Sequence, residues 1–192
     1  MHGIGAENAS LVEVLRTAFE GESNVQARYR EFAEKADGEG WHGVASLFRA
    51  AARAEAIHAA NHGRIAHQLG AHMEYEPQDF EVKNTLDNLR AAVAGEQFEV
   101  DVMYPAFVAQ AQVQHDVAAI RTFTWALESE KTHVRLFNEA EALVEIEDEE
   151  SWATMRREFY VCPVCGYTSE EKYQAELCPV CNCAWKRFEC VR

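Results

Sequence analysis

Two Glu-x-x-His sequences, Glu55-Ala-Ile-His58 and Glu130-Lys-Thr-His133, carry the clearest chemistry in the chain. On a helix, residues i and i+3 lie about 60° apart, so each Glu/His pair can reach one cation. Mixed carboxylate and imidazole ligation suits iron or manganese. Iron can cycle between Fe(II) and Fe(III), whereas zinc cannot. A second constellation lies near the end of the chain: Cys162-Pro-Val-Cys165 and Cys178-Pro-Val-Cys181, separated by 12 residues. Two such turns supply four thiolates to one tetrahedral ion. Spacing alone leaves zinc and iron both open. Gly166 and Asn182 follow the two turns and suit the positive φ that such knuckles require, which lets backbone N–H groups point at sulfur.

One Glu-x-x-His is common by chance, so the elements that carry the pairs must be read. Apolar spacing predicts four long helices, over about Ser10–Ala36, Gly43–Leu69, Val82–Gln112 and Asp116–Val144. Each apolar stripe is interrupted near its middle by an acid. Glu22 takes a core place between Ala18 and Val25, and Glu96 and Glu99 follow Leu89 and Val93. Glu55 and His58 follow Ala51 and Ala52, and Glu130 and His133 follow Leu127. Burying one unpaired carboxylate costs several kcal/mol. Five without compensation would exceed the roughly 5–15 kcal/mol that stabilises a typical domain. The stripes bring no comparable number of Lys or Arg, so bound multivalent cations are the economical answer. One Glu from each of two helices, with Glu-x-x-His from each of two others, matches the ligand pattern of ferritin-like di-iron bundles. Glu99, one turn beyond Glu96, is an extra ligand candidate.

A weak repeat supports this reading. Ala18-Phe-Glu-Gly-Glu22 resembles Ala92-Val-Ala-Gly-Glu96, and Glu22 to Glu55 spans 33 residues where Glu96 to Glu130 spans 34. Two similar helical hairpins facing each other are expected. Pro105, inside the third helix, should kink it or shift its hydrogen bonding. The stretch from Gly70 to about Phe80 is the longest irregular connection. The texture changes after the acidic run Glu145–Glu150, which predicts a helical bundle over residues 1–146, a linker over 147–158 and a small cysteine domain with short β segments over 159–192.

Composition narrows the function. The chain has 192 residues, of which 48% are hydrophobic and 26% charged, so a packed core is expected and wholesale disorder is not. With 18 basic against 32 acidic residues the formal charge is −14, which disfavours nucleic acid and anionic membranes. No apolar run approaches the roughly 18 residues of a membrane span. The first ten residues lack a basic start and an apolar run, so a cytoplasmic protein is expected. All six cysteines lie between Cys162 and Cys190, which argues for a metal site and not a disulfide framework. Cys183 and Cys190 have no partners at ligand spacing and read as spare thiols. His42, His62, His67, His72 and His115 read as solvent-facing or rim residues, with His62 set apart because it follows the same stripe as His58. Tyr29 and Tyr104 read first as core aromatics. Near the metals, either would donate a hydrogen bond or an electron.

Taken together, the residues resemble rubrerythrin over nearly the whole chain: Gly21-Glu22-Ser23 with Tyr29, Glu55-x-x-His58, Gly95-Glu96-x-x-Glu99 with Met103-Tyr104-Pro105, Glu130-x-x-His133, and a rubredoxin-like tail. The resemblance implies a mostly α protein, a ferritin-like four-helix bundle followed by a small rubredoxin-like domain. It implies a non-haem di-iron peroxidase that reduces hydrogen peroxide to water, with two irons held by Glu22, Glu55, His58, Glu96, Glu99, Glu130 and His133. One further iron, or zinc as isolated, would sit on Cys162, Cys165, Cys178 and Cys181 and pass electrons to the di-iron site. His58 and Glu99 would exchange as ligands on oxidation. The family further implies an NADH peroxidase component served by a separate reductase, and a homodimer in which the tail of one subunit approaches the di-iron site of the other. Asn182 and Cys183 depart from the family pattern after the second knuckle. Two other classes fit parts of the sequence: a ferritin-like ferroxidase or iron-handling protein with a structural zinc ribbon, and a non-enzymatic binding module.

Overall fold

A computed structural model describes residues 4–172 and 176–192. The long helices are α1 (Ile4–Gly38), α2 (His42–Gln68) and α5 (Val117–Glu145). The third predicted helix is divided into α3 (Thr85–Phe98) and α4 (Tyr104–Val113) by a π-helical turn over Glu99–Met103. Pro105 explains the division. It occupies the first turn of α4, where a missing N–H is tolerated. The amide of Tyr104 reaches five residues back to the Glu99 carbonyl, closing the wide turn. Side-chain caps fix the starts of the later helices: Asn84 accepts from the Asp87 amide and Asp116 from the Ala119 amide.

α1 runs along α2, and α5 packs on α2, α3 and α4. Their apolar stripes form two buried clusters, one around Phe32, Phe48, Leu89, Leu136 and Phe137, the other around Leu11, Leu15, Ile65 and Phe123. The polar residues of the candidate site lie on the same helices between these two clusters. Residues 71–84 carry no regular element. They are tied to α1 through Asn24, whose side-chain oxygen accepts from the Gln78 amide at 3.0 Å and the Tyr75 hydroxyl at 3.2 Å.

After α5 the chain forms a 3-10 turn at Trp152–Thr154 and then a three-stranded antiparallel sheet in the order β2-β1-β3. The strands are β1 (Phe159–Val161), β2 (Thr168–Ser169) and β3 (Glu189–Val191), with Tyr160 opposite both Ser169 and Cys190. The turn at Trp152 presses against the start of α2. A Cβ on Gly43 would lie 1.9 Å from the Trp152 carbonyl oxygen, so only glycine allows this approach. Ser46 Oγ accepts from the Arg157 amide, and Trp152 Nε1 donates to Glu139 at 2.7 Å. These bonds turn the linker back along α2 and lay the cysteine domain on its own bundle. Arg53 grips Glu189 with two hydrogen bonds, Arg135 pairs with Glu170, and Asn61 donates to the Val164 carbonyl at 2.8 Å. Within one chain, the tail is therefore held against its own bundle.

Candidate metal centres

Two clusters of possible ligands are present among the described residues. In the bundle, Glu22, Glu55, His58 and Glu130 bring ligand atoms within 4.8 Å of one another, as do Glu55, Glu96, Glu130 and His133. Glu55 and Glu130 belong to both groups, the arrangement required for two neighbouring ions bridged by carboxylates. All six side chains are buried. His58 Nδ1 lies 2.9 Å from Glu55 and 2.7 Å from Glu130, while His133 Nδ1 lies 2.6 Å from Glu130. Several of these close atoms are nevertheless not aligned for hydrogen bonds. Glu22 Oε2, Glu55 Oε1, Glu96 Oε2, both oxygens of Glu130 and His133 Nδ1 are buried without a hydrogen-bond partner. Unsatisfied buried acceptors are costly. Lone pairs that converge without bonding one another fit cations between them.

The two halves are related in sequence as well as in space. Glu22 on α1 and Glu96 on α3 are the single carboxylates, and each accepts from a buried tyrosine. Tyr104 donates to Glu22 Oε1, and Tyr29 donates to Glu96 Oε1 at 2.6 Å. Tyr29 follows Glu22 by seven residues, whereas Tyr104 follows Glu96 by eight. The π turn absorbs the additional residue and returns Tyr104 to the bundle interior. Glu99 is the first residue of that turn. It is 8% exposed where the other acids are sealed, and it stands outside both four-residue groups.

The charge balance without metal is self-neutralising. Burial, with repulsion from Glu55 and Glu130, raises the Glu22 carboxyl far above the usual range. Burial, with Glu22 and Glu96 nearby, does the same to Glu99. Burial and Glu130 push Glu96 up to about 8. Glu55 and Glu130 behave oppositely: burial works against their charge, but the two imidazoles hold both below the ordinary value. His58 and His133 are in turn raised, Glu130 overcoming the cost of burying their positive charge. Protons thus stand in for cations.

The tail supplies the second cluster. Cys162 Sγ lies 3.5 Å from Cys181 Sγ, and Cys165 Sγ 3.6 Å from Cys178 Sγ. Bonds of ~2.3 Å to a tetrahedral ion give sulfur separations of about 3.8 Å, so the four thiols fit one ion. No two cysteines form a disulfide. Gly166 and Asn182 have φ of 83° and 60°, as the knuckles require. Their own amides bond the carbonyls of Cys162 and Cys178 at 3.0 Å. The sulfurs receive bonds from other amides, among them those of Val164 and Tyr167. Cys183 is 8% exposed beside the cluster, and Cys190 is exposed on β3.

The clusters meet at the two histidines, which turn Nδ1 into the bundle and Nε2 toward the tail. His58 Nε2 lies 3.0 Å from the Cys165 carbonyl oxygen, and His133 Nε2 lies 3.1 Å from Thr168 Oγ1. Thr168 gives its own proton to the Gly166 carbonyl, which leaves its oxygen free to accept. Each imidazole is therefore oriented by a group that also shapes the cysteine domain. Of the remaining histidines, His42 is partly exposed and pairs with Asp37, while His67, His72 and His115 are exposed as expected. His62 is not a rim residue: it is fully buried against Phe123. Its place on the stripe of His58 was the signal.

Comparison with known proteins gives the same picture. The rubrerythrin family model matches residues 13–141. The chain is 34% identical to Rubrerythrin-2 of Clostridium acetobutylicum over 187 residues, covering 97% of this chain and 99% of that protein. It is 32% identical to nigerythrin of Nitratidesulfovibrio vulgaris over 177 residues, 90% of this chain and 82% of that one. A solved structure of nigerythrin in its fully reduced, all-ferrous state superposes with a TM-score of 0.83 at 29% identity, covering 94% and 86% of the two chains. A Desulfovibrio desulfuricans bacterioferritin shares the fold, with a TM-score of 0.70 at 19% identity over 77% of this chain and 86% of that one. With its carboxylate–histidine bundle and four-cysteine tail, the chain belongs to the rubrerythrin family.

Proposed function

We propose that this protein reduces hydrogen peroxide to water at a pair of iron ions, with electrons delivered through a single iron in the cysteine domain. The observation that carries the reading is the contact between His58 and Cys165. One imidazole belongs to the bundle cluster through Nδ1 and touches the backbone of a thiolate-bearing residue through Nε2. A structural zinc ribbon has no need of such a junction.

Glu22, Glu55, His58 and Glu130 would hold one iron, and Glu55, Glu96, Glu130 and His133 the other, with Glu99 as a further carboxylate. Iron held there would supply two electrons per peroxide for cleavage of the O–O bond, and Cys162, Cys165, Cys178 and Cys181 would hold the iron that supplies their replacements. The protein's own groups do the rest. Tyr29 and Tyr104 anchor Glu96 and Glu22 by donating their protons. Thr168 and the Cys165 carbonyl hold the imidazoles so that Nδ1 faces inward. Each peroxide also takes up two protons on its way to two waters. Glu99, the bundle acid with residual exposure, would carry one of them when it is not holding metal. It lines an open groove with Tyr29, Arg28 and Gln78, through which a small neutral molecule can approach. Residues 1–146 and 159–192 would act as separate metal-binding units joined by the linker 147–158. A separate reductase, a homodimeric assembly and a cytoplasmic setting complete the reading; no helix of the described residues is long and apolar enough to cross a membrane.

Metal analysis with an optical spectrum of protein purified without oxygen tests this. About three irons per chain are expected, with a thiolate-to-iron(III) absorption that bleaches on reduction and returns rapidly with peroxide. Accumulation of iron(III) mineral, or a colourless zinc-bearing tail, would favour iron handling instead.

A further inference from the structure

One buried polar chain is left over once both clusters are assigned. His62 lies one turn beyond His58 on α2, inside the apolar cluster of Leu15, Ile65 and Phe123, with no exposed surface. A polar ring in such a place is retained only where its nitrogens are bonded. Both are. Nε2 lies 3.2 Å from the Tyr104 hydroxyl, and Nδ1 lies 3.2 Å from Thr122 Oγ1. Thr122 is 4% exposed. Tyr104 is in turn bonded to Glu22.

The proton inventory fixes the direction of the chain. A metal-holding carboxylate can only accept, so the single proton of Tyr104 points at Glu22. The phenol oxygen then offers lone pairs to His62. Burial, with His58 close by, pulls the His62 pKa down to about 3, so the ring is neutral, with one donor and one acceptor. Nε2–H must therefore donate to Tyr104, and Nδ1 must accept from the Thr122 hydroxyl. One tautomer satisfies every group.

We propose that His62 is a positioning residue that locks the Tyr104 phenol, through a one-way chain from Thr122 to His62 to Tyr104 to Glu22, so that the phenol proton rests on Glu22. Donors in series polarise one another, so His62 makes Tyr104 a stronger donor and draws charge from Glu22. Among the described residues, the other half of the site shows no counterpart. The Tyr29 hydroxyl bonds Glu96, and its ring packs against Phe32, Phe48 and Phe137. The two halves, alike in ligands, thus differ in how firmly the single carboxylate is held. The consequence for turnover rests on the proposed peroxide reaction; the hydrogen-bond chain does not.

The test uses the full chain loaded with zinc, which is diamagnetic, with 15N-labelled histidine. A His62 ring protonated at Nε2 and unprotonated at Nδ1 throughout pH 6–8 is expected. A ring protonated at Nδ1, or at both nitrogens, overturns the proposal. Labelling of the Tyr104 ring adds a second readout: its Cζ resonance should shift in His62→Leu and return toward the parent in His62→Gln, whose amide can donate where Nε2 did. Thr122→Val removes only the outer donor and serves should His62→Leu fail to fold; there the Nε2–H tautomer should persist while the Nδ1 resonance shifts as its hydrogen bond is lost, and an unshifted Nδ1 overturns the chain. Peroxide turnover of the iron-loaded protein should fall about tenfold in His62→Leu and recover in His62→Gln. Equal loss in both also overturns the positioning role. The parent tautomer appearing as assigned while the parent lacks peroxide turnover would defeat the functional reading and leave the chain standing.

Discussion

Gly166 lies so close to His58 that a Cβ on it would sit 2.3 Å from the imidazole Nε2. Its φ of 83° closes the first cysteine knuckle, and its lack of a side chain lets the preceding carbonyl receive the His58 N–H. One glycine therefore serves the thiolate cluster and the bundle cluster together. Gly166→Ala is both strained and clashing. We expect the four-cysteine absorption to survive, because the nearest atoms that an added Cβ would meet belong to the His58 ring and not to the cysteines. The rate at which peroxide reoxidises the reduced tail should fall at least about tenfold, measured by stopped-flow absorbance. An unchanged rate would remove the His58–Cys165 contact from the electron path.

The bundle cluster should take up protons when it loses metal. Glu96 at about 8, Glu22 and Glu99 above the usual range, and His58 and His133 raised likewise, all favour bound protons in the folded metal-free chain. Groups whose folded pKa lies above the unfolded one stabilise at low pH and lose that contribution as pH rises through the folded value. Glu55 and Glu130 are already ionised above neutrality, so they do not reverse the sign there. The melting temperature of the metal-free protein should therefore fall between pH 7 and pH 9. Loading should release protons into a weakly buffered solution, several per chain at pH 7. A metal-free protein that melts higher at pH 9 than at pH 7 would contradict the assigned protonation.

How much of this was legible beforehand follows from what each residue's position depends on. Glu22, Glu55, Glu96 and Glu130 could be found from sequence because each breaks an apolar stripe of helical period, and period is a local property. The knuckles were legible because their geometry closes within six residues. The π turn was not: Pro105 announces a disturbance, but a kink and a widened turn satisfy the same missing N–H. The eight-residue step from Glu96 to Tyr104, against seven from Glu22 to Tyr29, was a trace of it. Nor could the sequence show that Gly166 faces His58 across a separation of 108 residues. Nor was the approach of the tail to its own bundle legible, because the linker's hydrogen bonds to Ser46 and Glu139 are tertiary, and no periodicity encodes them.

The two clusters share no ligand, so they should fail separately. Glu55→Ala or Glu130→Ala removes a carboxylate common to both ligand groups of the bundle. Each should abolish iron binding there and leave the cysteine site loaded, as read by metal content and absorption. Cys178→Ser should do the converse. The helical bundle stays folded by circular dichroism, the bundle irons remain, and turnover with an external electron donor drops to background. Full turnover by Cys178→Ser would show that electrons enter the bundle without the tail.

Docking of the tail on its own bundle can be tested at Gly43, far from either cluster. A Cβ there would meet three backbone oxygens, those of Trp152, Met155 and Ala153, at 1.9, 2.8 and 3.0 Å. Backbone cannot rotate aside as a side chain can, so either the helix or the linker must move. Overpacking of this kind costs about 1–3 kcal/mol. Gly43→Ala should accordingly lower the melting temperature by several degrees and speed protease cleavage within residues 147–158, because the linker is what yields. Gly38→Ala is the matched control. It also lies in a helix, but nothing stands within 4 Å of its Cβ, and alanine there should leave stability unchanged or raise it by up to about 1 kcal/mol. If Gly43→Ala cleaves no faster than Gly38→Ala, the linker does not hold the tail in place, and the direct contacts of Arg53, His58, Asn61, His133 and Arg135 with the tail must do so.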